Sequence, residues 1–424
     1  MTVTDRTPAS AAPQAAHDEP SSMLAMFRQQ PRAVWITAFA ATIAFMGIGL
    51  VDPILHSIAE ALNAPANKLT LLFGVYVGVQ CVAMLVTGWS AYRFGPKRTL
   101  TVGLACIVLA AGVSVFASNI DQLIALRVLW GLGNALFLAT ALAFIVSSAR
   151  GSRHGAIMMY EAALGIGLAV GPLLGATLGE WTWRAPFGGT ALLMLIGAIL
   201  CAIMLPADAP RATRTPVRIV DPLKALENRT LTIAGIGSAF YTGALFTVIA
   251  WAPIAMGLRP IHAGMIFFGW GLLTAVAGVF FATPLARMVG QKGGVLTAIT
   301  GYGIVMALAG IGTLTDEVWL IGLAVVLSGL PSGILNTLFT DLAMASGGTD
   351  TPRSVSSAGF SFLRWAGAAV AAVLVSYLAE WFGEVAPWWF AVGYCVVALG
   401  AVALVKTKKH VVAEDAALIG AEEY

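Results

Sequence analysis

Apolar runs long enough to cross a bilayer recur a dozen times along this chain, and that recurrence leaves few folds open to it. They lie near residues 33–54, 69–90, 99–118, 121–148, 155–179 and 184–205, and again near 230–256, 261–288, 293–314, 317–344, 353–380 and 386–405. Each reaches the roughly 20 residues that span about 30 Å of hydrocarbon as a helix. Only 11% of the 424 residues are charged and 58% are hydrophobic, whereas soluble domains carry about 25% charge. Such a chain cannot cover a water-facing surface. In hydrocarbon a spanning backbone must satisfy its own polar groups, which apolar runs of this length do as helices. The expectation is an all-α membrane protein with twelve transmembrane helices.

The cations give the orientation. Nineteen of the 24 Lys and Arg residues fall in segments that share one face if the N-terminus is inside. Three (Lys68, Arg184 and Arg259) fall on the other face, and Arg127 and Arg364 lie within helices. By the positive-inside rule both termini are expected in the cytoplasm, with the protein in the cell (inner) membrane. The polar stretch 206–229 divides the runs into bundles at 33–205 and 230–405, flanked by cytoplasmic tails at 1–32 and 406–424, the first read as disordered. The net charge of +3 gives no reason to expect a nucleic-acid partner. Cys81, Cys106, Cys201 and Cys395 sit singly in apolar runs and read as small buried hydrophobes.

The two bundles echo one another at an offset of about half the chain. Val128-Leu129-Trp130-Gly131-Leu132 matches Val326-Leu327-Ser328-Gly329-Leu330, and Leu178-Gly179-Glu180-Trp181 matches Leu378-Ala379-Glu380-Trp381. Arg93-Phe94-Gly95-Pro96-Lys97 has a blurred counterpart in Met288-Val289-Gly290-Gln291-Lys292. Two pseudo-symmetric six-helix bundles are therefore expected, with a substrate site near the midplane where they meet.

Three motifs are similar to those of the major facilitator superfamily, in particular its drug–proton antiporter branch. After the second run, Gly88-Trp89-Ser90-Ala91-Tyr92-Arg93-Phe94-Gly95-Pro96-Lys97-Arg98 resembles the family's loop motif, with Tyr92 where the family usually has Asp and Pro96 where it often has Arg. Gly88 permits close helix contact and Gly95 a tight turn. In the fourth run, Arg127-Val128-Leu129-Trp130-Gly131-Leu132-Gly133 resembles the family's Arg-x-x-x-Gly-x-Gly. The family commonly carries an acid where Asp52 stands in the first run, so a pair between Asp52 and Arg127 is expected. The cation favours the carboxylate's charge and burial opposes it, which suits a proton carrier. In the fifth run, Gly167-Leu168-Ala169-Val170-Gly171-Pro172-Leu173-Leu174-Gly175 resembles the antiporter motif. Gly167, Gly171, Gly175 and Gly179 share one helix face, expected to slide against a helix of the other bundle, with Pro172 bending it.

Ionisable residues inside a membrane are functional candidates by default. Glu161 is read as a proton or cation site and Arg364 as its counter-charge or an anion site, with Tyr241 and Trp270 joining them in the substrate cavity. Trp381, Trp388 and Trp389 read as interface anchors. No nucleotide-binding GxxxxGK[ST] loop and no HExxH occurs, so neither direct ATP use nor a metal is supported, and no cofactor is expected. Asn228-Arg229-Thr230 fits a glycosylation sequon but falls on the cytoplasmic side. What the resemblance implies is a non-enzymatic, proton-coupled exporter of small lipophilic compounds, surrounded by lipid and working as a monomer. A transporter of one metabolite, such as a sugar or organic acid, and a non-transporting membrane enzyme or sensor are the alternatives.

Overall fold

The computed structural model describes residues 30–50, 54–64, 66–149, 153–214, 216–346 and 353–404. Asp52 lies outside the described residues, as do the expected tails apart from residues 30–32. Among the described residues, twelve helices are long and apolar enough to cross a membrane. The first six are α1 (Arg32–Gly49), α2 (Ala66–Phe94), α3 (Pro96–Ser114), α4 (Ile120–Ser148), α5 (Arg153–Gly179) and α6 (Ala185–Met204). The second six are α7 (Arg229–Met256), α8 (Pro260–Phe280), α9 (Ala282–Leu314), α10 (Val318–Ser346), α11 (Arg353–Phe382) and α12 (Ala386–Ala403). Short helices at Leu55–Leu62 and Asp221–Ala225 were not expected from the pattern of apolar runs. There is no strand among the described residues. The chain is a multi-pass, all-α membrane protein.

Local chemistry marks several helix ends. The Asn119 side chain accepts from the Gln122 N–H at 2.9 Å and caps α4. Asn228, the sequon asparagine, accepts from the N–H groups of Thr230 and Leu231 and caps α7. The chain reverses between α2 and α3 at Gly95, whose φ of 104° suits glycine. Its counterpart is Gly290, with φ 77° and ψ 158°. The expected eighth run, 261–288, therefore covers α8 and the first turns of α9. Phe281 only joins the two.

Contacts follow one rule: what helix n of the first half touches, helix n+6 of the second half touches in its own half. Thus α1 packs on α5 and α6, as α7 does on α11 and α12; α4 holds α2 and α3, as α10 holds α8 and α9. The two halves meet along α5–α8 and α2–α11, which exchange under the same rule. Detail repeats as well. A Cβ added at Gly131 would come within 2.5 Å of the Tyr76 carbonyl oxygen on α2, and one at Gly329 would collide with the Trp270 carbonyl on α8. These glycines are the matched fourth residues of the first sequence echo.

One tryptophan departs from expectation. Trp381 and Trp389 are exposed, but Trp388 is wholly buried. Its indole N–H donates to Thr313 Oγ1 at 2.9 Å, so the inward-facing ring is satisfied within the second half and does not sit at the lipid boundary.

Candidate functional site

A polar cluster joins the halves in the bundle interior. Glu161 lies eight residues, about 12 Å, past the start of α5. Asn336 and Thr340 stand one turn apart on α10, and Arg364 comes from α11. Thr340 Oγ1 donates to Glu161 Oε1 at 2.6 Å, and Arg364 Nη1 reaches the same oxygen at 3.4 Å. Arg364 Nη2 donates to Asn336 Oδ1 at 2.9 Å. Glu161 is 3% exposed and Arg364 8%. Glu161 Oε2 and Asn336 Nδ2 are buried without a hydrogen-bond partner. Removing one partner of such a pair strands a charge in low dielectric at a cost of about 3–5 kcal/mol.

The expectation that Glu161 and Arg364 face a common interior and counter one another describes this geometry. Asn336 and Thr340 were not singled out from the sequence. Their spacing was there: two hydrogen-bonding side chains four residues apart lie on one helix face, in a span that also carries Ser328, Ser332, Thr337 and Asp341.

Beside the cluster is a narrow void between α1, α5, α7 and α11. Its walls include Phe45, Leu164, Leu168, Phe246 and Trp365, with Arg364 and Thr242 as polar members. Phe45 meets Tyr160 edge-on at 5.6 Å, and Phe246 meets Trp365 edge-on at 5.6 Å. Tyr241 and Trp270 do not border it. Tyr241 is buried within the second half, edge-on to Tyr302 at 5.4 Å, and its hydroxyl donates to the Ser332 carbonyl at 3.2 Å. Trp270 is buried on α8 against Phe267.

Arg127 is 5% exposed, deep in the first half. Its guanidinium lies 4.6 Å from the Trp130 ring centroid, 5.5 Å from that of Tyr76 and 5.8 Å from that of Phe187. Rings of this kind stabilise a desolvated cation. The expected partner Asp52 falls outside the described residues.

The glycine face of α5 has a different partner from the one expected. A Cβ at Gly167 would come within 2.5 Å of the Thr42 carbonyl oxygen, and one at Gly171 within 2.5 Å of that of Met46. Gly175 abuts the Leu50 carbonyl in the same manner, and Gly179 the Ile54 side chain. This stripe therefore seats α1 of the same half, with the Pro172 ring over Gly49. The seam with the other half is a second small-residue face of α5, running antiparallel to α8: Gly165 against Ala275, Ala169 against Gly271, and Leu173 against Gly264. A stripe of glycines encodes close approach, and by itself not to which neighbour.

The loop motif is tied to the linker. Asp208 Oδ1 accepts from the Lys97 N–H at 2.8 Å and Oδ2 from the Arg98 N–H at 3.1 Å, so a carboxylate from the linker caps α3. Its carboxyl group occupies the space a Cβ on Gly95 would need. Lys97 Nζ donates to the Leu205 carbonyl, and Arg214 Nη1 to that of Tyr92. Arg211 lies over the Tyr92 ring at 5.1 Å. Arg93 and Arg98 line the same basin. A carboxylate thus serves this loop although Tyr92 replaces the usual acid. Gly88 faces the Ser354 carbonyl of α11, 3.5 Å from where its Cβ would be. At the same end Ser357 Oγ donates to the Ala139 carbonyl at 3.2 Å, so the halves are closed there.

Comparison with known proteins agrees with this architecture. The family model described as Major Facilitator Superfamily matches residues 37–371. The multidrug efflux protein YfmO of Bacillus subtilis is 39% identical over 381 residues, covering 90% of this chain and 94% of that protein. The chloramphenicol resistance protein of Streptomyces lividans is 28% identical over 361 residues, covering 81% of this chain and 88% of its own. Among solved structures, the human organic anion transporter MFSD10 superposes with a TM-score of 0.69 at 17% identity, covering 88% of this chain and 100% of that one, which is a likeness of fold.

Proposed function

The chain belongs to the Major Facilitator Superfamily, and from that premise we propose that it exports small lipophilic compounds in exchange for protons. It works in the cell membrane with both termini in the cytoplasm, as a monomer surrounded by lipid, and does not alter its substrate chemically. Its likeness to a multidrug efflux protein along nine-tenths of the chain supports the substrate class.

One observation carries the mechanism: the buried Glu161–Arg364 pair, with one member on each half. Rocking the halves apart separates the pair or wets it. Glu161 then takes or releases a proton according to the side it faces, and the pair re-forms when the halves close. Because charged and neutral forms of Glu161 favour different arrangements, proton occupancy biases the equilibrium between them. Asp52 and Arg127 assist proton transfer in the first half. Gly88, Arg93 and Gly95 at the loop, and Gly167, Gly171, Pro172 and Gly175 on α5, hold the moving parts in register. Tyr241 and Trp270 support the cavity from behind its wall.

The test is a drug-susceptibility panel on cells with and without the protein, repeated with Glu161→Gln at matched membrane abundance. Resistance to several lipophilic compounds that is lost in the variant is the expected result. Full resistance in the variant removes Glu161 from the coupling. An unchanged panel with the wild-type protein removes drug export.

A further inference from the structure

Away from the polar cluster, a basin of about 790 Å3 opens where the linker folds over the loop after α2 and the ends of α3 and α6. Its size is that of a ligand site, roughly 300–1,000 Å3. Five cations line it, Arg93, Lys97, Arg98, Arg211 and Arg214, against one acid, Asp208. That carboxylate is engaged by the Lys97 and Arg98 amides. Lys97 and Arg214 donate to carbonyl oxygens, which are neutral, and Arg211 lies over the Tyr92 ring. Arg93 and Arg98 are exposed, and their guanidinium groups have no hydrogen bond or ion pair among the described residues. Five against one leaves the wall with four positive charges in excess.

The other side of the basin is apolar and belongs to the membrane. α3 has 19 residues and α6 has 20, about the length that hydrocarbon demands of a helix. Neither has turns to spare, so their ends lie at the level of the lipid headgroups. Val102 stands six residues, about 9 Å, inside α3, and Ala202 stands two residues before the end of α6. Both line the basin and both are exposed. They lie on the flank where α3 and α6 pack on one another within the first half. A water-borne anion would answer the cations and leave this side uncovered. A molecule with phosphate at one end and acyl chains at the other matches both.

We propose that this basin is a site for an anionic phospholipid of the leaflet it faces. Arg93 and Arg98 from the loop and Arg211 from the linker hold the phosphate, and the acyl chains run along Val102 and Ala202. Guanidinium forks take phosphate oxygens in pairs. The lipid so bound ties the linker to the loop and adds to the clip that Asp208 makes. On the orientation given above, that leaflet is the cytoplasmic one.

The experiment uses the full chain in an uncharged detergent. Phosphatidylglycerol is the anionic probe, phosphatidylcholine with the same chains the zwitterionic one, and glycerophosphate the headgroup without chains. Native mass spectrometry counts the lipid retained, and the melting temperature is followed alongside. Phosphatidylglycerol is expected to be retained and to raise the melting temperature, and the other two are not. Arg93→Gln with Arg98→Gln is expected to weaken retention about thirty-fold, which is about 1 kcal/mol for each cation lost. Arg93→Lys with Arg98→Lys is expected to restore most of it, which separates lost charge from a damaged fold. Arg287→Gln with Lys292→Gln, at the counterpart loop of the second half, is expected to leave retention unchanged. Equal loss from the two glutamine pairs would mean diffuse attraction to any cations at this face and overturns the site. Equal retention of both lipids overturns it as well. Protection by glycerophosphate equal to that by phosphatidylglycerol assigns the basin to a soluble anion and overturns the lipid. Binding is read without transport, so each of these results leaves the export reading to its own test.

Discussion

A single methyl group measures how closely α5 sits on α1. At Gly171 the added carbon would lie 2.5 Å from a backbone oxygen, which cannot yield as a flexible side chain can. Gly171→Ala is expected to lower stability by about 1–3 kcal/mol, read as a fall in the melting temperature of the purified protein. Gly393→Ala, where nothing lies within 4 Å, is the matched control and should change it little. The buried pair makes a second case. Arg364→Ala alone strands Glu161 and is expected to cost about 3–5 kcal/mol, whereas Glu161→Gln with Arg364→Met removes both charges and recovers most of that loss. A double variant no more stable than the single one would mean that the two side chains are energetically independent. Residues like these announce their importance in the sequence, since an ionisable group in an apolar run is conspicuous. Which partners they take is set by packing: Thr340 reaches Glu161, and Asn336 reaches Arg364, only because α10 crosses beside α5 and α11.

At the scale of elements, the runs of apolar residues foretold the helices because a continuous apolar run of about 20 residues crosses hydrocarbon as a helix. Their ends were less legible where the stop is one residue's backbone angle, as at Gly290, or where a short helix follows, as at Leu55–Leu62. The capping of α3 was not legible at all. Gly95 has no side chain to cap with, and its substitute, Asp208, lies 111 residues beyond the Lys97 amide it accepts from. Asp208→Ala is expected to cost about 0.5–2 kcal/mol, as loss of a cap does, and to speed hydrogen exchange at Lys97 and Arg98. Unchanged exchange at those amides would show that the linker carboxylate does not hold the helix end. The glycine stripe of α5 teaches the converse lesson. Its spacing correctly signalled a groove, but α5 has a second small face of Gly165 and Ala169 on the far side, and only the packing tells which neighbour takes which.

For the whole molecule, the repeated contact rule means that α5–α8 and α2–α11 are equivalent seams between two rigid units. Closing one end and opening the other uses both at once. A cysteine pair at Gly88 and Ser354, introduced after replacing the four native cysteines, should cross-link the closed end and stop transport, with recovery on reduction. Transport that persists through complete cross-linking would mean this end need not open. The symmetry itself was visible in three short echoes: the first keeps glycine at corresponding close contacts, Gly131 and Gly329, and the third keeps glycine at corresponding positive-φ positions, Gly95 and Gly290.

The segment between the halves looks like a generous tether of two dozen residues, but most of it is fastened. Up to Arg214 it is bound to the loop after α2, and from Pro222 it rests against Gly359 on α11. Seven residues separate Arg214 from Pro222, and among them Val217 is buried beside Gly88. The eight steps from Arg214 to Pro222, drawn straight, reach only about 28 Å. The leash is thus short enough to limit how far the halves can swing apart on that side, so inserting flexible residues after Arg218 would lengthen the stroke without touching a helix.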